Sequence, residues 1–229
     1  MMQNDKKVDP QRTIVLYTSK YGAAETYARW IAEALGCRAV PLDKFSKKEL
    51  RGYDTVIYGG GVQAGGIRGL EQFTKWIKGD LKLRQMAKRG TISEAEASEI
   101  GAFDRQYYIF AVGISLDSEE NRLQLRDINF DKDCLRELPC FFLPGAFDPA
   151  KLAGVDKAII KVATKMFQDK PEAQAAAEDA QVLRYFETGC DLIDRTRTTA
   201  LIESVKSGAV PEEFRDTREP EPKKSFWKR

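Results

Sequence analysis

Thr13-Ile14-Val15-Leu16-Tyr17 runs directly into Thr18-Ser19-Lys20-Tyr21-Gly22-Ala23-Ala24-Glu25-Thr26. The first five residues are β-branched, aliphatic or aromatic, as in a strand buried on both faces. The polar turn then gives way to Tyr27, Ala28, Ile31, Ala34 and Leu35 at helical spacing, with a stop at Gly36. A buried strand, a short polar turn and an amphipathic helix make one β–α unit, the building block of a parallel sheet.

The same alternation continues outward. Residues 38–42 form a weaker strand, and Asp54-Thr-Val-Ile-Tyr58 a stronger one that runs into Gly59-Gly60-Gly61. Residues 69–78 read as a helix with Leu70, Phe73, Trp76 and Ile77 on one side. Residues 107–112 are another apolar run, followed by Gly113 and a charged helix near 118–126. Residues 138–143 complete the series before Pro144-Gly145. Five strands separated by helices predict an α/β fold: a doubly wound five-stranded parallel sheet with helices on both faces. Such a sheet binds ligands beyond the carboxyl ends of its strands.

Composition predicts the domain boundaries. Residues 1–11 read as a disordered N-terminus and 12–170 as the α/β domain, interrupted by a charged insert at 79–106. Within the insert Ser93-Glu94-Ala95-Glu96 is a capping box, so a short helix ending near Gly101 is expected. Residues 171–210 read as a helical extension, with a helix at 172–187 and a further turn at 200–205. Residues 211–229 read as a disordered basic tail.

The chain of 229 residues is 42% hydrophobic and 31% charged, with 37 Lys and Arg against 35 Asp and Glu. That balance carries no signal for nucleic acid. It contains no histidine, which removes Ser-His-Asp and Cys-His catalysis and the commonest zinc and haem ligand. Cys37, Cys134, Cys140 and Cys190 form no C-x-x-C pair, and none has an Arg six residues later. Scattered thiols, a polar N-terminus and an apolar maximum at 107–116, too short to span a bilayer, predict a cytoplasmic protein without metal.

Three loops fall at strand carboxyl ends. Thr18 to Thr26 combines hydroxyls, a glycine and a helix start, which suits an anion such as phosphate; the plain structural alternative is an N-cap by Ser19 or Thr18. The loop has no GxxxxGK[ST] pattern. Gly59-Gly60-Gly61-Val62-Gln63-Ala64-Gly65-Gly66 holds five glycines in eight residues, permitting close approach of the backbone to a flat ligand. Gly59, Gly61 and Ala64 also fit G-x-G-x-x-A with Asp80 beyond, but a dinucleotide fingerprint belongs after the first strand of its unit. Ala111-Val112-Gly113-Ile114-Ser115 supplies the third loop.

These segments together resemble the flavodoxin-like family, in particular stand-alone flavodoxin-domain proteins related to menaquinone-dependent protoporphyrinogen dehydrogenase. The resemblance rests on Ile14-Val-Leu-Tyr-Thr-Ser-Lys-Tyr-Gly22, on 53–61 with Ala64-Gly65-Gly66-Ile67, and on Phe110-Ala-Val-Gly113. It also rests on Pro144-Gly-Ala-Phe-Asp148 followed by residues 158–166. It implies FMN as cofactor, with Thr18, Ser19, Lys20, Tyr21, Gly22, Ala23 and Ala24 around the phosphate. Gly60, Gly61, Val62, Gln63, Ala64, Gly65, Val112 and Gly113 would flank the isoalloxazine ring. It further implies flavin redox chemistry, which needs no histidine, with a redox partner protein or a quinone as the second reactant and protoporphyrinogen as one substrate.

The chain departs from the family's pattern at three points. Ala24 stands where a second phosphate-binding hydroxyl is usual, with Thr26 nearby, and Gln63 stands where relatives place a ring-stacking aromatic. Residues 1–170 hold 27 Lys and Arg against 23 Asp and Glu, so the acidic face of an electron shuttle is missing. An interaction protein on the same fold that has lost FMN is therefore the alternative. Gln63, Tyr21 and Ser115 are candidates for hydrogen bonds near the flavin. Lys157, Lys161 and Lys165 repeat every four residues beside Ile159, Ile160, Val162, Ala163 and Met166. This helix either packs on its own domain with lysines in solvent or makes peripheral contact with an anionic membrane.

Overall fold

A computed structural model describes residues 8–100, 104–130, 133–152, 154–169 and 177–218. Strand β1 (Thr13–Thr18) leads into helix α1 (Ala23–Leu35), followed by β2 (Arg38–Pro41), β3 (Thr55–Gln63), β4 (Gly66–Ile67) and α2 (Leu70–Lys88). Then come α3 (Glu94–Ile100), β5 (Gln106–Gly113), α4 (Glu119–Asn129), α5 (Asp133–Arg136), β6 (Cys140–Pro144) and β7 (Ala146–Phe147). The chain continues with α6 (Val155–Gln168), α7 (Ala177–Thr188), β8 (Cys190–Asp191) and α8 (Thr199–Ser207).

The five long strands pair in parallel in the order β2-β1-β3-β5-β6. Counted as principal strands this is 2-1-3-4-5, the order of flavodoxin-like doubly wound sheets. The expected fold class is the observed one. Alternate residues of each strand enter opposite cores, because side chains alternate across the pleat. Ile14, Leu16, Val56, Tyr58, Ile109 and Phe142 meet Leu70, Phe73, Ile77 and Leu125 of α2 and α4. Val15, Ile57, Tyr108, Phe110 and Phe141 meet Tyr27, Ile31 and Leu35 of α1 and Leu201 and Val205 of α8. With helices on both faces, the central strands have no polar side, which is why they read as continuous apolar runs.

Several elements differ from the sequence expectation. The predicted insert is mostly helix: α2 runs ten residues past 78, because Leu81 continues the buried row begun by Leu70, Phe73 and Ile77. The Ser93 capping box is present, with Ser93 Oγ accepting from Glu96 N at 3.2 Å and Glu96 Oε2 accepting from Ser93 N at 2.8 Å. Residues 9–11, assigned to a disordered terminus, belong to a capped turn that ends at Arg12; Asp9 accepts from Gln11 N at 2.9 Å.

Composition also misreads residues 211–218. Phe214 stacks on Phe141 with centroids 4.2 Å apart, and the Phe214 carbonyl accepts from the buried Arg126 at 2.6 Å. Arg218 pairs with Asp127 and Asp216. The one aromatic among charges anchors this strap together with these polar contacts, since the edge strand β6 offers it an apolar surface. The remaining parts of the expected termini, 1–7 and 219–229, lie outside the described residues, as do Gly101 and residues 171–176 of the expected extension.

The glycine-rich stretch is corrected as well. Gly59, Gly60 and Gly61 belong to β3, and the turn is Ala64-Gly65, which folds β4 back on β3 through the Gln63–Gly66 pair. Both turn residues have positive φ, 49° and 77°, as a two-residue hairpin of this kind requires. Asn129 of α4 braces the turn: it donates to the Gly65 carbonyl at 2.7 Å and accepts from Ile67 N at 2.8 Å.

Candidate functional site

A cleft of about 1550 Å³ opens at the carboxyl ends of β1, β3 and β5. The three loops singled out by the sequence meet there. Ser19, Lys20, Tyr21, Ala23 and Ala24 line it from the β1–α1 loop. Gly61, Val62, Gln63, Ala64 and Gly65 line it from the end of β3, and Val112 and Gly113 from β5. Thr18, Gly22 and Gly60 are not in the lining. Thr18 Oγ1 accepts from Tyr58 at 2.9 Å. Gly22 N donates to Ser19 Oγ at 3.1 Å. A Cβ at Gly60 would lie 2.5 Å from the Arg68 carbonyl. The glycine that makes room at position 60 therefore admits neighbouring backbone, not a ligand.

Helix α1 starts after Gly22, which offers no side-chain cap. Neither Ser19 nor Thr18 is its N-cap, so the first-turn N–H groups lack the usual side-chain acceptor. Thr26, considered as a substitute hydroxyl for Ala24, donates back to the Gly22 carbonyl at 3.1 Å. Ser115 contributes its carbonyl to Asn121 Nδ2 at 2.9 Å.

The chemistry of the cleft centres on a residue with no local signal in the sequence. Asp156, in the first turn of α6, is only 4% exposed. Lys20 Nζ and the Tyr21 hydroxyl both donate to its Oδ2, and Gln63 Nε2 donates to its Oδ1 at 2.6 Å. Arg68 in turn donates to Gln63 Oε1. Donors from the β1–α1 loop and the end of β3 thus converge on one carboxylate of α6. The hydrogen bonds from Lys20 and Tyr21 hold the Asp156 carboxyl down at about 2, and the same bond pushes the Tyr21 hydroxyl up. A carboxylate with a depressed pKa stabilises the fold above its unfolded value and loses that contribution as pH falls through the folded one. Asp156→Asn should therefore lower the Tm at pH 7 relative to wild type. The gap should narrow below about pH 4 and close near pH 2; a gap independent of pH in thermal melts would contradict the assignment.

An anionic, flat ligand fits these residues on two observations. Arg68, in the cleft wall, has a buried Nε with no hydrogen-bond partner among the described residues, a donor awaiting an acceptor. A Cβ built at Gly61 meets nothing within 4 Å, so open space lies against the strand there. Beyond this polar end the wall sets the apolar Leu116, Ile128, Ile159, Val162 and Phe186 among charged residues, including Glu119, Glu120 and Asp127. Among the described residues no group of three or more Cys, Asp and Glu is placed to hold a metal ion, and no helix is long and apolar enough to cross a membrane.

A flavodoxin-like sheet with a three-loop cleft at its carboxyl edge defines the class of the domain. Comparison with known proteins adds a match of residues 14–91 to the family described as a flavodoxin domain. No curated protein sequence matches the chain. Among solved structures it is similar to the WrbA-like flavodoxin of Agrobacterium tumefaciens, at 17% identity and a TM-score of 0.35, over 52% of this chain and 68% of that one. It is also similar to rubredoxin oxygen:oxidoreductase of Desulfovibrio gigas, at 13% identity and a TM-score of 0.39. That match covers 88% of this chain and 38% of the other.

Proposed function

We propose that the chain is an FMN-binding redox protein of the flavodoxin-like class. The observation that carries this reading is the convergence of the three loops on one cleft at the carboxyl ends of β1, β3 and β5, where open α/β sheets bind their ligands. The uncapped start of α1 with Ser19, Lys20 and Arg68 would hold the phosphate, and Val62, Gln63, Val112 and Gly113 would flank the ring. Bound FMN supplies one- or two-electron transfer, so the protein's task is to bind, orient and exclude water.

The finer reading is oxidation of an apolar reductant such as protoporphyrinogen, with a quinone or a partner protein as acceptor. Two features support it. The cleft is larger than the roughly 300–1,000 Å³ of a site for one small ligand, and its surplus wall includes an apolar set, Leu116, Ile128, Ile159, Val162 and Phe186, among charged residues. The test is an absorbance spectrum of the purified protein followed by FMN titration read by fluorescence. A Kd on the order of 1 μM or tighter, about −8 kcal/mol, is expected. Absence of quenching up to roughly 1 mM would remove the reading and favour the second one, an interaction protein that has lost FMN. That alternative draws on Lys20, Tyr21 and Gln63 already being bonded to Asp156. Complementation of a strain lacking protoporphyrinogen oxidation separates the enzyme from a carrier. Cytoplasmic residence belongs to the same proposal, since the four cysteines are free thiols, as suits a reducing compartment.

A further inference from the structure

Lys20, Tyr21 and Gln63 belong to the two segments that frame the polar end of the cleft, yet all three turn to one acceptor, the carboxylate of Asp156. Asp156 is the only charged residue of α6 that is buried among the described ones: Lys157, Lys161 and Lys165 are exposed. Val155, beside it in the first turn, is 73% exposed. The first turn of α6 is therefore anchored in the cleft by a polar contact rather than by an apolar one. Lys20 is the one cationic side chain of the β1–α1 loop, and in this arrangement its charge is neutralised by a group of the protein itself.

The geometry points to Asp156 as a specificity-determining residue: its carboxylate holds Lys20, the cation of the loop where a ligand's phosphate would sit, so an anionic ligand gains that donor only by displacing it. The inference rests on the flavin reading and adds a competitor to it. An unsatisfied carboxylate next to an arriving phosphate is repelled, so displacement means that the first turn of α6 leaves the loop. A ligand without a phosphate does not compete for Lys20 and gains nothing from that exchange. Apparent affinity for the phosphorylated form is reduced by the fraction of molecules in which Asp156 still holds the donors. The cost is selective, because a weak anion cannot win the contest while a dianion that also satisfies Arg68 Nε can.

The experiment compares FMN with riboflavin, which lacks the phosphate, on wild type, Asp156→Asn and Asp156→Ala, by fluorescence titration. Circular dichroism confirms that each variant is folded, and the two variants differ in whether a side-chain hydrogen-bond acceptor remains. Removing the carboxylate should tighten FMN binding by about tenfold or more, as expected for a site closed in about nine molecules of ten. Riboflavin affinity should change by less than about threefold. Hydrogen exchange in residues 155–160 should rise in both variants and, on adding FMN, in wild type. FMN binding to wild type with no tightening in either folded variant would overturn the competitor and leave the cofactor intact. Equal tightening of FMN and riboflavin would also overturn it, since the effect would not involve the phosphate. Failure of both flavins to bind any of the three proteins would remove the flavin reading and this inference with it.

Discussion

Replacing Gly59 by alanine lowers the stability of the domain by about 3 kcal/mol, at the upper end of what one added methyl usually costs in a packed core. The Phe110 ring lies across this glycine, and a Cβ there would come within 1.8 Å of Phe110 Cζ. Phe110 is fully buried on the neighbouring strand β5, directly opposite Gly59 in the parallel register. It cannot swing away without disturbing Val15, Ile57 and Phe141 around it. For a chain of this size the loss corresponds to a fall in Tm of roughly 6–12 °C. The double variant Gly59→Ala with Phe110→Leu separates this cause from simple loss of glycine, because a smaller side chain opposite relieves the overlap. A double-mutant cycle should show the pair less destabilised than the sum of its parts. A Gly59→Ala variant as stable as wild type would mean that the ring does not sit there.

Gly61, two residues further along β3, should give the opposite pattern. A Cβ added at this position meets nothing within 4 Å, and the residue lines the cleft. Gly61→Leu should leave stability within about 1 kcal/mol of wild type, since a glycine in a strand contributes no packing of its own. The leucine occupies space that an isoalloxazine ring would need, so FMN affinity should drop by at least about a hundredfold, close to 3 kcal/mol. A folded Gly61→Leu protein that binds FMN normally would place the flavin elsewhere and break the three-loop assignment. Both glycines lie on the same face of one strand; what separates them is the neighbour.

The contrast shows how far the sequence was legible. Five glycines in eight residues signal close approach, but not by what. At Gly59 the approaching group is Phe110, at Gly60 the Arg68 carbonyl, and only Gly61 faces open space. Those contacts join residues 8 to 51 positions apart, and no local pattern encodes them. The helix at 69–78 shows a similar limit: charged residues mask its continuation to Lys88, because only Leu81 in that stretch is buried.

Asp156 was beyond the reach of sequence reasoning. In the chain it is an acidic residue in the first turn of a helix, a common arrangement that the helix dipole favours anyway. Its role comes from Lys20, 136 residues away, and from Gln63, 93 residues away. The lysines of the same helix were conspicuous in the sequence and prove to be exposed, while the single aspartate among them is buried.

By itself the sequence determined the α/β class, the five parallel strands and the three loops that line the cleft. These follow from apolar runs and helical spacing, which are local and periodic and so survive without coordinates. Tertiary structure alone decided that the strap at 211–218 is ordered, which of three adjacent glycines is open, and that Asp156 gathers Lys20, Tyr21 and Gln63. The physical reason is the same in each case: packing and hydrogen bonding join side chains distant in sequence, and their partners are chosen by the folded sheet.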